Sequence, residues 1–107
     1  MATSDPKRQL KIKTGVVKRL AKEKKSYEKE ALQQEEKVAT MKSDGRDEYE
    51  VRKAMEVLEE SQMMVPDCQK RLAIAIGDLR TIIESNHELA NTEEYKAAVE
   101  QLEAAEQ

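Results

Sequence analysis

The chain has no phenylalanine, no tryptophan, one cysteine, one histidine, two prolines and three glycines in 107 residues. Each shortage closes off a class of protein. A thick globular interior normally draws on large aromatic rings to fill volume, and here only Tyr27, Tyr49 and Tyr95 are available. The core must be thin and aliphatic, as in a narrow helical bundle. The lone Cys68 leaves no internal disulfide and suits a reducing compartment. No apolar run approaches the ~20 residues needed to span a bilayer, and the N-terminus lacks the apolar stretch of a signal peptide. A cytoplasmic protein with no membrane partner is expected.

Charge is abundant instead. Charged residues make up 38% of the chain, as many as the apolar ones, so hydrophobic spacing has to decide between a bundle and disorder. The net charge of -3 conceals an asymmetry. Nine Lys or Arg between Asp5 and Lys25 oppose two acidic residues, whereas seven Glu from Glu84 onward oppose Lys96 alone. A basic start and an acidic finish can attract each other within the fold or leave a basic face for an acidic partner.

Spacing favours helices. Asp5 can cap a helix whose first position is Pro6, where the missing N–H costs nothing. A 3-4 repeat then runs through Leu10, Lys13, Val17, Leu20, Lys24, Tyr27, Ala31, Gln34, Val38 and Met41, a coiled-coil-like seam. Gly45 suits a turn. Asp47, with Glu50 as a capping-box partner, opens a second helix with the seam Val51, Met55, Leu58, Gln62, Val65, Gln69, Leu72, Ile76, Leu79 and Ile83. Pro66 falls within it, but the phase is the same on both sides, so a kinked continuous helix is expected. Ser85-Asn86-His87 ends that helix. Asn91 and Glu94 signal a short third helix whose apolar face is Tyr95, Val99, Leu102 and Ala105. The reading is all-α: one antiparallel three-helix bundle over 1–107, with helices at roughly 5–42, 47–86 and 91–106 and no strand.

A turn near Asp44 makes the long helices antiparallel neighbours, with Leu20 level with Cys68 and Tyr27 level with Ser61. If the third helix folds back, it covers the end holding Leu10, Val17, Ile76 and Ile83, and its glutamates face the basic first helix. Towards the turn, Val38, Met41, Tyr49, Met55, Leu58, Met63 and Met64 would lack that cover. They either pack the two-helix seam or receive a partner, including a second copy of the chain.

No catalytic constellation is present, and no enzyme is expected. His87 with Glu84 and Glu88 is a weak metal signal beside the ordinary role of a solvated histidine. Cys68 has the ordinary role of a small buried hydrophobe. Gly15 and Gly77 lie inside helices, where close helix approach is the simplest reason for them. The basic run of the first helix lacks stacking aromatics and any known nucleic-acid module, so an acidic protein ranks above nucleic acid as its partner.

The residues also carry a resemblance. KIKTGVVKRLAKEKKSYEKEA from Lys11 to Ala31, ESQMMVPDCQKRL from Glu60 to Leu72, and EYKAA from Glu94 to Ala98 resemble, in order, the three helices of the tubulin-binding cofactor A family. The resemblance implies a tubulin-folding chaperone that captures quasi-native β-tubulin after the cytosolic chaperonin and supplies it, through later cofactors, to αβ-tubulin assembly. It implies no cofactor and no metal, and leaves monomer and homodimer open. The alternative is a structural coiled-coil adaptor. For a tubulin site the expected residues are Lys11, Lys13, Lys18 and Arg19, which would steer an acidic partner, and Met63, Met64 and Val65, which would supply apolar contact.

Overall fold

The computed structural model describes residues 5–106, all of them in helices or short connections. Helix α1 spans Pro6–Ser43, α2 spans Glu48–Ser85 and α3 spans Glu93–Ala105, with a 3-10 turn at His87–Leu89. The one expected residue range that extends further, 1–107, includes termini outside the described residues. Among those described there is no strand.

The ends of the helices follow from their sequences. The Asp5 carboxylate accepts from the Lys7 N–H at 3.2 Å, with Pro6 at the first helical position. At the other end of α1, Gly45 N–H donates to the Lys42 carbonyl and Arg46 N–H to that of Met41. This paired closure requires a left-handed residue, and Gly45 has φ +68°. Asp47 caps α2 by accepting from Tyr49 N–H at 3.2 Å. Glu50 does not complete the expected box. It pairs with Arg46 at 3.0 Å, which leaves Asp47 to cap alone. The cap of α3 is Thr92, one residue beyond the expected Asn91, with its hydroxyl accepting from Tyr95 N–H. Thr92 wins because its hydroxyl also donates to the Leu89 carbonyl at 2.7 Å, tying the cap to the preceding turn.

Two compact units make up the chain: residues 5–22 with 70–106, and residues 23–69. In the first, α1, α2 and α3 share one aliphatic cluster of Leu10, Val17, Leu20, Leu72, Ala75, Leu79, Ile83 and Ala98, with Tyr95, Val99 and Leu102 packed against it. Leu10, Val17, Leu79 and Ala98 are wholly buried. Burying such side chains contributes roughly 1.5–3 kcal/mol each, which holds a helix as short as α3 in place. Lys11 and Thr14 of the basic first helix and Glu93, Glu94 and Ala97 of the acidic third line one shallow groove. An ion pair also ties the end of α3 to α2, from Glu106 to Arg80.

The second unit is a two-helix hairpin. Here Val38, Ala54 and Cys68 are buried, and Tyr27, Ala31, Gln34, Met41, Val51, Leu58, Met64 and Val65 are half-buried. Every seam position expected on α1 faces inward across the two units, Lys13, Lys24 and Gln34 included.

On α2 one of the two seam rows is different from the expected one. Met55, Gln62 and Gln69 are exposed, while Ala54, Ser61 and Cys68, each one residue earlier, turn inward; Ala75 holds the same row in the first unit. Strict 3-4 spacing carries the expected seam through Met55, Gln62 and Gln69. Packing selects the small side chain, since a small row lets two helix backbones approach. Gly15 and Gly77 are not needed for such approach, because a Cβ at either would meet nothing within 4 Å. Helix α2 runs unbroken through Pro66.

Candidate partner-binding surface

A binding surface on an all-helical chain has to come from side chains that the seams leave outside. On α1 the outward positions of the three-helix unit include the exposed Lys7, Arg8, Lys11, Lys18, Arg19 and Lys22, with Ile12 exposed among them. Residues 11, 18 and 22 fall at the 3-4 spacing of one helix face, so their ammonium groups form a stripe. Of the four expected basic residues, Lys11, Lys18 and Arg19 are exposed. Lys13 is half-buried on the seam, and its Nζ lies 3.7 Å from an Asp78 carboxylate oxygen. That ion pair joins α1 to α2 and makes Lys13 a residue of the bundle as much as of its surface.

The expected apolar residues divide in a similar way. Met63 is 70% exposed, whereas Met64 and Val65 are half-buried. Val65 belongs to the seam, and Met64 stands at its edge. The basic residues lie in the three-helix unit and the methionines in the hairpin unit.

Within the hairpin unit the edge of the seam opens into a groove that takes in Met41, Tyr49, Met63 and Met64 of the expected uncovered stretch, together with Val57, which sequence reasoning did not single out. One section, about 470 Å³, is lined by Tyr27, Glu30, Val57, Glu60, Met63 and Met64. Another, about 770 Å³, continues from the shared Val57 towards Met41, Tyr49 and Lys53. Val57 is 49% exposed, as a residue just off the packed face of a helix should be. The sequence signal for it was available. Once Ala54, Ser61 and Cys68 are taken as the inward row, Val57 and Met64, seven residues apart, become a flanking apolar row.

The two ends of this groove differ electrostatically. Glu30 and Glu60 flank the methionine end. At the turn end Arg46 is paired with Glu50, and Lys53 lies 3.6 Å from Glu56 with its ammonium 5.4 Å from the Tyr49 ring centroid.

Elsewhere no reactive arrangement stands out. His87 is exposed at the 3-10 turn, with Nδ1 3.3 Å from the Tyr95 hydroxyl. Among the described residues no three His, Cys, Asp or Glu side chains converge on a point that a metal ion would fill, and no helix is long and apolar enough to cross a membrane. Cys68 is a fully buried thiol.

Residues 5–102 match the family described as tubulin binding cofactor A. The chain is 59% identical over 96 residues to tubulin-specific chaperone A of Gallus gallus, covering 89% of each chain. Among solved structures it is similar to human tubulin chaperone cofactor A, with a TM-score of 0.85 and 48% identity over 96% of this chain and 100% of that one. It is also similar to tubulin folding cofactor A from Arabidopsis thaliana, with a TM-score of 0.87 and 40% identity over 94% and 95% of the two chains.

Proposed function

The chain belongs to the tubulin binding cofactor A family, and on that premise we propose that it is a tubulin-folding chaperone whose client is β-tubulin. It holds the quasi-native subunit released by the cytosolic chaperonin, keeps it from aggregating, and passes it to later cofactors for assembly with α-tubulin. It works in the cytoplasm and meets the cytoskeleton through tubulin.

The observation that carries this reading is the length of the likeness. A binding surface spread over helices has no short motif, so agreement over nearly the whole chain, in sequence and in fold, is the form that the relevant evidence takes. The chemistry of the surface is compatible with the task. An ordered set of helices with exposed apolar side chains can shield a client without ATP, and the energy comes from the apolar area covered.

Lys11, Lys18 and Arg19 would act at longer range. Their field attracts an acidic client and raises its association rate, more than it tightens the final complex. Met63, Met64 and Val65 would supply short-range contact, where the flexible thioethers adapt to an incompletely folded surface.

Size-exclusion chromatography of the chain with β-tubulin released from chaperonin tests the proposal. A defined complex containing both proteins is expected. Separate elution, with β-tubulin aggregating at its usual rate, would overturn it. The elution volume of the free chain also distinguishes monomer from homodimer.

A further inference from the structure

We infer that the groove of the hairpin unit, centred on Val57 and Met64, receives a short amphipathic helix of the client that carries a lysine or arginine beside its apolar face. The inference rests on the proposed function and adds where the client docks and what the docking element must look like.

The shape of the groove indicates a helix. It lies between two antiparallel helices and runs from Met64 to Tyr49, which is about 22 Å at 1.5 Å per residue. That is room for about four turns. Two parallel ridges with a trough between them match the profile of a third helix, whose apolar side chains enter the trough at 3-4 spacing. In its other unit the chain itself packs a third helix of 13 residues onto α1 and α2, with Ala98 completely buried. The hairpin unit has no third helix of its own, and its seam is covered correspondingly less.

The lining specifies an apolar occupant. Val57, Met63, Met64 and Tyr27 present aliphatic, thioether and aromatic surface, and all four are partly or largely exposed to water. Covering them recovers hydration free energy, and methionine allows the fit to be imperfect.

The charge pattern specifies a basic edge. The Glu30 and Glu60 carboxylates flank this apolar floor from α1 and α2, and both are exposed. A client helix with its own lysine or arginine beside its apolar face neutralises them, and one bringing glutamates would be repelled. The contact is therefore of opposite sign to that made by the lysine stripe of α1.

The test uses the full chain and chaperonin-released β-tubulin, with Kd measured for four proteins. Val57→Glu places a charge on the apolar floor, and Glu30→Lys combined with Glu60→Lys reverses the flanks. Ile74→Glu is the control: it lies in the other unit and is 67% exposed. Circular dichroism and melting establish that each variant folds. Weakening of roughly tenfold or more by Val57→Glu and by the double reversal, with Ile74→Glu within about twofold, is expected. If wild type binds and Val57→Glu binds equally well, the groove is not the site and the chaperone reading is untouched. If wild type itself fails to bind, it is the chaperone reading that falls. Carbodiimide coupling, which joins a carboxylate directly to an amine in contact with it, identifies the occupant. A bond from Glu30 or Glu60 to a lysine in a client helix supports the inference, and a bond to a second copy of the chain overturns it.

Discussion

Gln34 on α1 donates its side-chain amide to the main-chain carbonyl of Ala54 on α2 at 3.0 Å, so the hairpin is cross-linked by a polar residue in the middle of an apolar seam. A helical carbonyl has a second lone pair free for this bond, and it can be reached because residue 54 has only a methyl group. Gln34→Ala should therefore cost about 1 kcal/mol in urea denaturation, while Gln34→Glu should cost more, since a carboxylate cannot donate to the carbonyl. Equal stability of wild type and Gln34→Glu at neutral pH would show that the bond contributes nothing.

The inward row of small side chains makes a paired prediction. Ala54→Leu forces bulk between two close helices and should lose about 1–3 kcal/mol by overpacking. Met55→Ala removes a side chain that is 41% exposed and should lose less than Ala54→Leu. The reverse ranking in thermal melts would restore Met55 to the seam.

In the three-helix unit, Leu79 is wholly buried at the centre of the aliphatic cluster. Leu79→Ala should cost about 2–5 kcal/mol, transfer and cavity terms together. Thr92→Ala removes the cap of α3 and should cost about 1 kcal/mol. Hydrogen exchange should then rise first in residues 93–97. Uniform loss of protection over the whole chain would show that α3 does not fray from this end.

Gly15 and Gly77 should each be replaceable by alanine with a gain. Both are helical, and neither has an atom within 4 Å of the position a Cβ would take. Each substitution should raise stability by about 0.4–1 kcal/mol by reducing the freedom of the unfolded chain. A fall in melting temperature for Gly15→Ala would reveal a packing role at that position. Pro66→Ala should also stabilise the free chain, because it returns an N–H to the carbonyl of Gln62 and relieves the ring contact in the preceding turn. Its effect on client affinity tests whether Pro66 takes part in binding.

The basic face makes a kinetic prediction. Lys18→Glu with Lys22→Glu, both at exposed positions, should slow association with β-tubulin at low salt and flatten its salt dependence, with a smaller effect on dissociation. Unchanged association across a salt series would rule out electrostatic steering by this face.

Local signals are strong where one residue can satisfy the physics alone. Pro6 at the first turn, Asp47 as a cap and Gly45 in a left-handed turn are determined within a few residues, and all three can be read from the sequence. The displaced cap at Thr92 already shows the limit. Asn91 and Thr92 are both good caps, and the bond from Thr92 to Leu89 settles the choice through the preceding turn.

What the sequence by itself determined is an aliphatic, all-helical chain with two long seams and an antiparallel turn, because periodicity and capping are properties of each helix alone. Tertiary structure decided which of two adjacent residues faces inward on α2. That depends on how closely α1 approaches, and it favours Ala54, Ser61 and Cys68 over their larger neighbours. The same choice moved Val57 and Met64 to the edge of the seam and created the groove between Glu30 and Glu60. A seam can be read from one helix, but a groove requires the second helix to be in place.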